Sequence, residues 1–181
     1  MKNKIYIIIT IFCFLLTGCL KKESPTTVVS KYLDSYIKLD DFIIKEINRV
    51  IDENDEFNEE HKSIYKEILI NQYKSLKYVV LDEEIDGNNA LVRVNITVND
   101  LNIAEENAFN YVSKNLKNYY NDKNEFDNNK YITDKLNAMK NVNERKDYEI
   151  IFYLEKKNNE WFMHDPTDED LEKIHGIYRE K

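Results

Sequence analysis

Between Ala90 and Val98 every second residue is apolar. Ala90, Val92, Val94, Ile96 and Val98 alternate with Leu91, Arg93, Asn95, Thr97 and Asn99. A period of two places one set on a single face of a strand and does not fit a helix. One buried face and one wet face is the pattern of an antiparallel sheet. Tyr78 to Ile85 reads as the partner strand, and Asp86-Gly87-Asn88-Asn89 supplies the turn between them. With this hairpin in place, the rest of the chain must cover its apolar face.

The flanking segments carry a helical period instead. Val29, Tyr32, Leu33, Tyr36 and Ile37 recur at helical spacing, and the stripe resumes at Ile43, Ile44, Ile47, Val50 and Ile51. The polar pair Asp40-Asp41 between them either kinks one helix or separates two. An acidic connector, Asp52 to Glu60, leads to a helix that Asn58 is placed to cap and that carries Ile64, Tyr65, Ile68, Leu69, Gln72, Tyr73 and Leu76. Beyond the hairpin, Asn102 with Glu105 suggests a capping box. The helix after it presents Ala108, Val112, Leu116 and Tyr119 on one side. After a polar loop, Asn121 to Asn129, a further helix carries Ile132, Leu136, Met139 and Val142. Tyr148 to Leu154 is a strand whose centre, Ile150 to Tyr153, is apolar on both faces, as a central strand would be. Lys156 to Asn159 turns the chain into a last strand, Glu160 to His164. Asp165 as N-cap with Pro166 at the first position opens a short helix striped by Leu171, Ile174 and Tyr178. Helices segregated from antiparallel strands predict an α+β domain.

The N-terminus has a different character. Met1-Lys2-Asn3-Lys4 is basic, and Ile5 to Thr17 is a run of thirteen almost wholly apolar, uncharged residues. That run is shorter than the ~20 residues a bilayer span requires and has the layout of a secretory signal peptide. Its end, Leu16-Thr17-Gly18-Cys19, resembles the bacterial lipobox. The resemblance implies cleavage before Cys19 and a diacylglyceryl group on its sulfur; an ordinary secretory peptide or an uncleaved anchor is the competing reading. The expected organisation is a signal peptide over 1–18, a lipidated Cys and tether over 19–25, and one globular domain over 26–181. Two acyl chains hold a protein at a membrane where one holds it marginally.

Charge and cysteine usage narrow the function classes. The chain has net charge −8, and residues 1–18 carry two lysines and no acid, so the remainder stands at −10. A diffuse negative charge argues against nucleic acid, which needs clustered Lys and Arg, and against electrostatic docking on anionic lipid. Beyond Cys13, which lies in the segment to be removed, Cys19 is the one cysteine. No intramolecular disulfide, cysteine metal site or thiol nucleophile is therefore expected. The abundance of Lys, Asn, Ile and Tyr is what an AT-rich genome favours.

Three segments behind the lipobox carry a further resemblance. They are the helix reaching an Asp-Phe step, Tyr32 to Phe42; the late hairpin with Trp161, Tyr148 to Met163; and the acidic stretch Asp165 to Leu171. Together they resemble uncharacterised lipoproteins of low-GC Gram-positive bacteria, which are similar to the nuclear-transport-factor-2-like, cystatin-like superfamily. The resemblance implies helices packed on a curved antiparallel sheet of about four strands, with a pocket opening between sheet and helices. Asp40 stands where many such proteins have Gly, and the helical region between Asp100 and Asp147 is long for the simple fold. The superfamily hosts enzymes, binders and adaptors, so fold alone does not give function.

Candidate chemistry is sparse. His164-Asp165 is the one His beside a carboxylate and could serve as base or ligand, although Asp165, Asp168 and Asp170 also suit a helix start. His175 lies too far along that helix to share a site with His164 without a tertiary coincidence. The acidic connector lacks the alternating ligands and central Gly of an EF-hand and reads as a solvated run. Tyr32, Tyr36, Tyr65 and Tyr73 hold core-facing helical positions where the hydroxyl can reach the rim, and Trp161 reads as a core anchor. Phosphate loops, nucleophile elbows and zinc helices have no counterpart here. The expectation is a non-catalytic binding or interaction module on the extracytoplasmic face of a Gram-positive cell membrane. It is held by the lipid on Cys19, uses no cofactor or metal and has an envelope protein as partner. The alternative is a small-ligand binder or enzyme using a cavity, with His164, Asp165, Tyr36 and Tyr73 as candidate site residues.

Overall fold

A computed structural model describes residues 23–180. Leu16, Thr17, Gly18 and Cys19 lie outside the described residues. Among the described residues no helix is long and apolar enough to cross a membrane. The order is α1 (Pro25–Lys38), α2 (Asp41–Asp52), α3 (Glu59–Ser75), β1 (Lys77–Asp86), β2 (Asn89–Asn99), α4 (Leu101–Lys114), a 3-10 turn (Leu116–Tyr119), α5 (Asn128–Lys140), β3 (Arg145–Lys157), β4 (Glu160–Met163) and α6 (Asp168–His175). The domain is α+β.

Asp40-Asp41 separates two helices rather than kinking one. Leu39 adopts a left-handed conformation, φ 54°, and its N–H returns to the carbonyl of Tyr36 while that of Asp40 returns to Ser35. These bonds satisfy the last carbonyls of α1, and α2 leaves in a new direction. Asn58 caps α3, its side chain accepting from the His61 N–H at 2.9 Å.

The four strands form one open antiparallel sheet in the order β1-β2-β3-β4. β2 and β3 pair without a slip from Asn89↔Glu155 to Asn99↔Arg145, so the parity of one strand fixes that of the other. Ala90, Val92, Val94 and Ile96 stand opposite Leu154, Phe152, Ile150 and Tyr148, and all eight are buried. Val29, Leu33 and Tyr36 of α1 and Leu69, Tyr73 and Leu76 of α3 cover this face. β3 is interior, as its apolar centre suggested. Its second face is nevertheless uncovered: Tyr153 is 59% exposed. β1 follows β2 in register up to Val80, where a bulge at Leu81 shifts the pairing.

The long region after β2 forms a second layer. α4 and α5 pack against α3, with Ile68, Leu101, Ala104, Ile132, Leu136 and Met139 as their shared cluster. α3 is therefore buried on two sides: Leu69 and Tyr73 face the sheet, and Ile68 faces α5.

Three local expectations are corrected. α4 is capped by Asp100, which accepts from the Ile103 N–H at 3.0 Å, and no Asn102–Glu105 box forms. Asn102 and Glu105 instead receive Arg179. α6 begins after Thr167, not Asp165. Thr167 and Asp170 cap each other reciprocally, satisfying two orphan groups where Asp165 would satisfy one. Leu116 is 47% exposed because α4 ends at Lys114; the tighter turn that follows swings Leu116 out and Tyr119 in.

Candidate functional site

Buried side chains of α1 and α3 pack on the inner face of the sheet. A cleft of about 570 Å³ opens among the helices α1, α2, α3 and α6. Met163 of β4 is the one strand residue on its wall. Each helix contributes one face at i, i+4 spacing: Tyr32 and Tyr36 from α1, Ile43 and Ile47 from α2, Leu69 and Tyr73 from α3, Leu171 and His175 from α6.

The inner wall is a run of rings. Tyr32 and Tyr36 meet edge to face at 5.4 Å with their hydroxyls 3.1 Å apart, and Tyr36 meets Tyr73 at 5.1 Å in the same manner. The Tyr73 hydroxyl lies 2.9 Å from His175 Nδ1. Such pairs hold ring orientation beyond what burial alone provides. Burial pushes the Tyr32, Tyr36 and Tyr73 hydroxyls above the usual tyrosine range, assisted at Tyr32 and Tyr73 by neighbouring tyrosines. Burial pushes His175 the other way, down to about 4. At neutral pH the inner wall therefore carries neutral hydroxyls and a neutral imidazole.

The charged groups of the cleft are at its mouth. Arg49 on α2 is held by Glu46, at 2.9 and 3.0 Å, and by Glu53 at 2.7 Å. Asp165 lines the mouth in the link before α6 and is exposed.

Of the four candidates read from sequence, Tyr36, Tyr73 and Asp165 line the cleft and His164 does not. The His164 N–H extends the sheet by donating to the Tyr153 carbonyl at 2.9 Å, and its side chain is exposed. Strand alternation explains this, since Met163 points into the cleft and the next residue must point away. His175, set aside as too distant, is the histidine on the wall. Its four-residue spacing from Leu171 was the available signal. The third histidine, His61, is 1% exposed, with Nε2 at 3.0 Å from Thr133 Oγ1, and belongs to the α3–α5 layer. Trp161 is half-buried at the edge of the main core under the Lys156 ammonium, away from the cleft.

A second cleft of about 550 Å³ shares Tyr65 and Ile177 with the first as a common wall. It is lined by an ion cluster in which Glu105 holds Lys135 at 2.9 Å and Arg179 at 3.0 Å. Burial raises the Glu105 carboxyl, but the two cations outweigh it and hold it below the usual range. These charges satisfy one another and leave little for a ligand. Among the described residues no three His, Cys, Asp or Glu side chains converge to hold a metal ion.

No family model matches this chain, and neither a curated protein nor a solved structure matches it.

Proposed function

We propose that this chain is an extracytoplasmic lipoprotein of a Gram-positive cell, anchored by a diacylglyceryl group on Cys19. Its domain is a non-catalytic module that binds a small apolar molecule in the cleft between α1, α2, α3 and α6. The observation that carries the binding reading is the cleft itself: about 570 Å³, walled by packed rings and aliphatic side chains, with charge confined to its mouth. Small-molecule sites fall in this size range and have this composition. The non-catalytic reading rests on the deep titratable groups. An acid or base works best with a pKa near the operating pH, and here burial moves the tyrosines up and His175 down to about 4. The helices laid on one face of an antiparallel sheet support a place beside the nuclear-transport-factor-2-like, cystatin-like lipoproteins that the sequence resembles.

A second reading, docking of an envelope protein, draws on the uncovered outer sheet face. Val79 there is 63% exposed, alongside Tyr153 and Phe162.

Two measurements test the proposal. Cys19→Ser blocks lipidation, so the protein should move from the membrane fraction to the soluble fraction or medium; unchanged membrane retention in alkaline carbonate would rule out the lipid anchor. For the cleft, the uncharged fluorophore N-phenyl-1-naphthylamine should bind the wild type with one-to-one stoichiometry. Leu171→Trp, which fills the cleft from a half-buried position, should weaken that binding at least about tenfold, the loss expected when a buried apolar ligand of this kind is displaced. Equal binding by both proteins would place the fluorophore elsewhere and remove the support for this site.

A further inference from the structure

The polar atoms of the cleft wall specify what kind of molecule it takes. His175 spends Nδ1 on the Tyr73 hydroxyl, and its Nε2 has no hydrogen-bond partner among the described residues. An unpartnered ring nitrogen thus belongs to a residue that lines the cleft beside the hydroxyls of Tyr32, Tyr36 and Tyr73. Tyr32 and Tyr36 spend one hydroxyl proton on each other.

Charge is handled differently. Among the described residues that line the cleft the one cation, Arg49, is already held by Glu46 and Glu53, and Glu46 is the carboxylate that Arg49 neutralises. An anion entering the slot would shed its water and meet no free positive partner, which is costly. Asp165 could meet a cation, but it stands in solvent at the mouth, where an ion pair contributes little. A cation reaching the inner wall would meet no carboxylate there, only the rings of Tyr32, Tyr36 and Tyr73.

We propose that the cleft takes an uncharged, mainly apolar ring compound that presents one hydroxyl or carbonyl to His175 Nε2. The inference rests on the binding reading above and adds the chemical class of the ligand. A neutral hydroxyl can meet either tautomer of the imidazole, donating to Nε2 or accepting from Nε2–H as Tyr73 dictates, whereas a carbonyl can only accept from Nε2–H. The rings of Tyr32, Tyr36 and Tyr73 hold the body of the ligand by edge and face contacts.

A matched series isolates each term: naphthalene, 1-naphthol, 1-naphthoate and 1-naphthylmethylammonium share one ring body. Each is titrated at neutral pH into the full-length lipoprotein in lipid nanodiscs, with binding read from isotope-labelled tyrosine NMR signals and empty discs correcting for partitioning. The expected order places 1-naphthol about tenfold above naphthalene, the scale of one well-made hydrogen bond, and both charged analogues at least about tenfold below 1-naphthol. In His175→Phe, which keeps a ring and removes Nε2, the preference for 1-naphthol over naphthalene should vanish. Tighter binding of either charged analogue overturns the ligand class, as does a naphthol preference that survives in His175→Phe. If none of the four moves a cleft tyrosine of the wild type, the binding reading itself fails and this inference falls with it. The comparison of charged and neutral analogues uses the wild type alone and stands even if the variant does not fold.

Discussion

Gly176→Ala will destabilise the domain by about 3 kcal/mol, more than a typical single substitution. Gly176 ends α6 in the left-handed region, φ 73°, with its N–H returning to the Lys173 carbonyl and that of Ile177 to Glu172. Left-handed backbone alone costs a residue with a Cβ about 1 kcal/mol. A methyl group here would also overlap the Asn99 carbonyl oxygen and the Gln72 amide nitrogen. Those two atoms are bonded to each other at 3.1 Å, and Gln72 is 0% exposed. Separating them leaves a buried donor and acceptor unsatisfied, at about 1–3 kcal/mol. The Gly176 carbonyl also accepts from the Asn102 N–H, so the backbone cannot simply retreat. In urea, with a slope of about 2 kcal/mol per molar for a domain of this size, the midpoint should fall by about 1.5 M. A shift below about 0.5 M would mean that the junction of α3, β2 and α6 is looser than these contacts require.

Stability should also fall between neutral and mildly acidic pH through His175. Unfolded His175 takes up its proton near 6.5, whereas burial in the cleft lowers this to about 4. Between the two values the unfolded chain binds more protons, so stability rises with pH. The contribution is fully present above the unfolded value and is lost as pH falls toward the folded one. Going from about pH 7 to about pH 5 removes about 2 kcal/mol. Asp34, Glu105 and Asp134 are held below the usual carboxylate range, so their losses come at lower pH. His175→Gln should flatten the stability profile over this window. An identical slope in wild type and variant would show that the imidazole is hydrated in the folded state and is not a neutral part of the wall.

Period was the readable part of the fold. Alternation from Ala90 to Val98 gave the inner face of β2, and unbroken pairing carried that face to β3. The helical stripes of α1, α2 and α3 were equally plain, as was the Asn58 cap. Caps failed where several competent residues lie close together. Asp100 and Asn102, or Asp165 and Thr167, can each begin a helix, and tertiary contacts such as Arg179 on Asn102 decide between them. The left-handed Leu39 has no sequence signature, because leucine rarely takes that conformation. Three of the four candidate site residues line the cleft because Tyr36 and Tyr73 hold core-facing positions and Asp165 follows the last strand. His164 lies off the cleft and His175 on it because alternation at the strand end turns His164 away. The cleft itself was not legible: a void is a property of how four helices pack, and no residue pattern marks the place where they fail to close.

α3 is buttressed on two sides, by the sheet through Leu69 and Tyr73 and by α5 through Ile68. Such a helix leaves no seam along which the protein could be cut. Deleting the stretch from Leu101 to Lys140 would uncover Ile68 and the rim of Tyr65 on α3. Removing the sheet would strip the opposite side in the same way. Tyr65, which packs against both clusters and lines the cleft, ties the shape of the cleft to both layers.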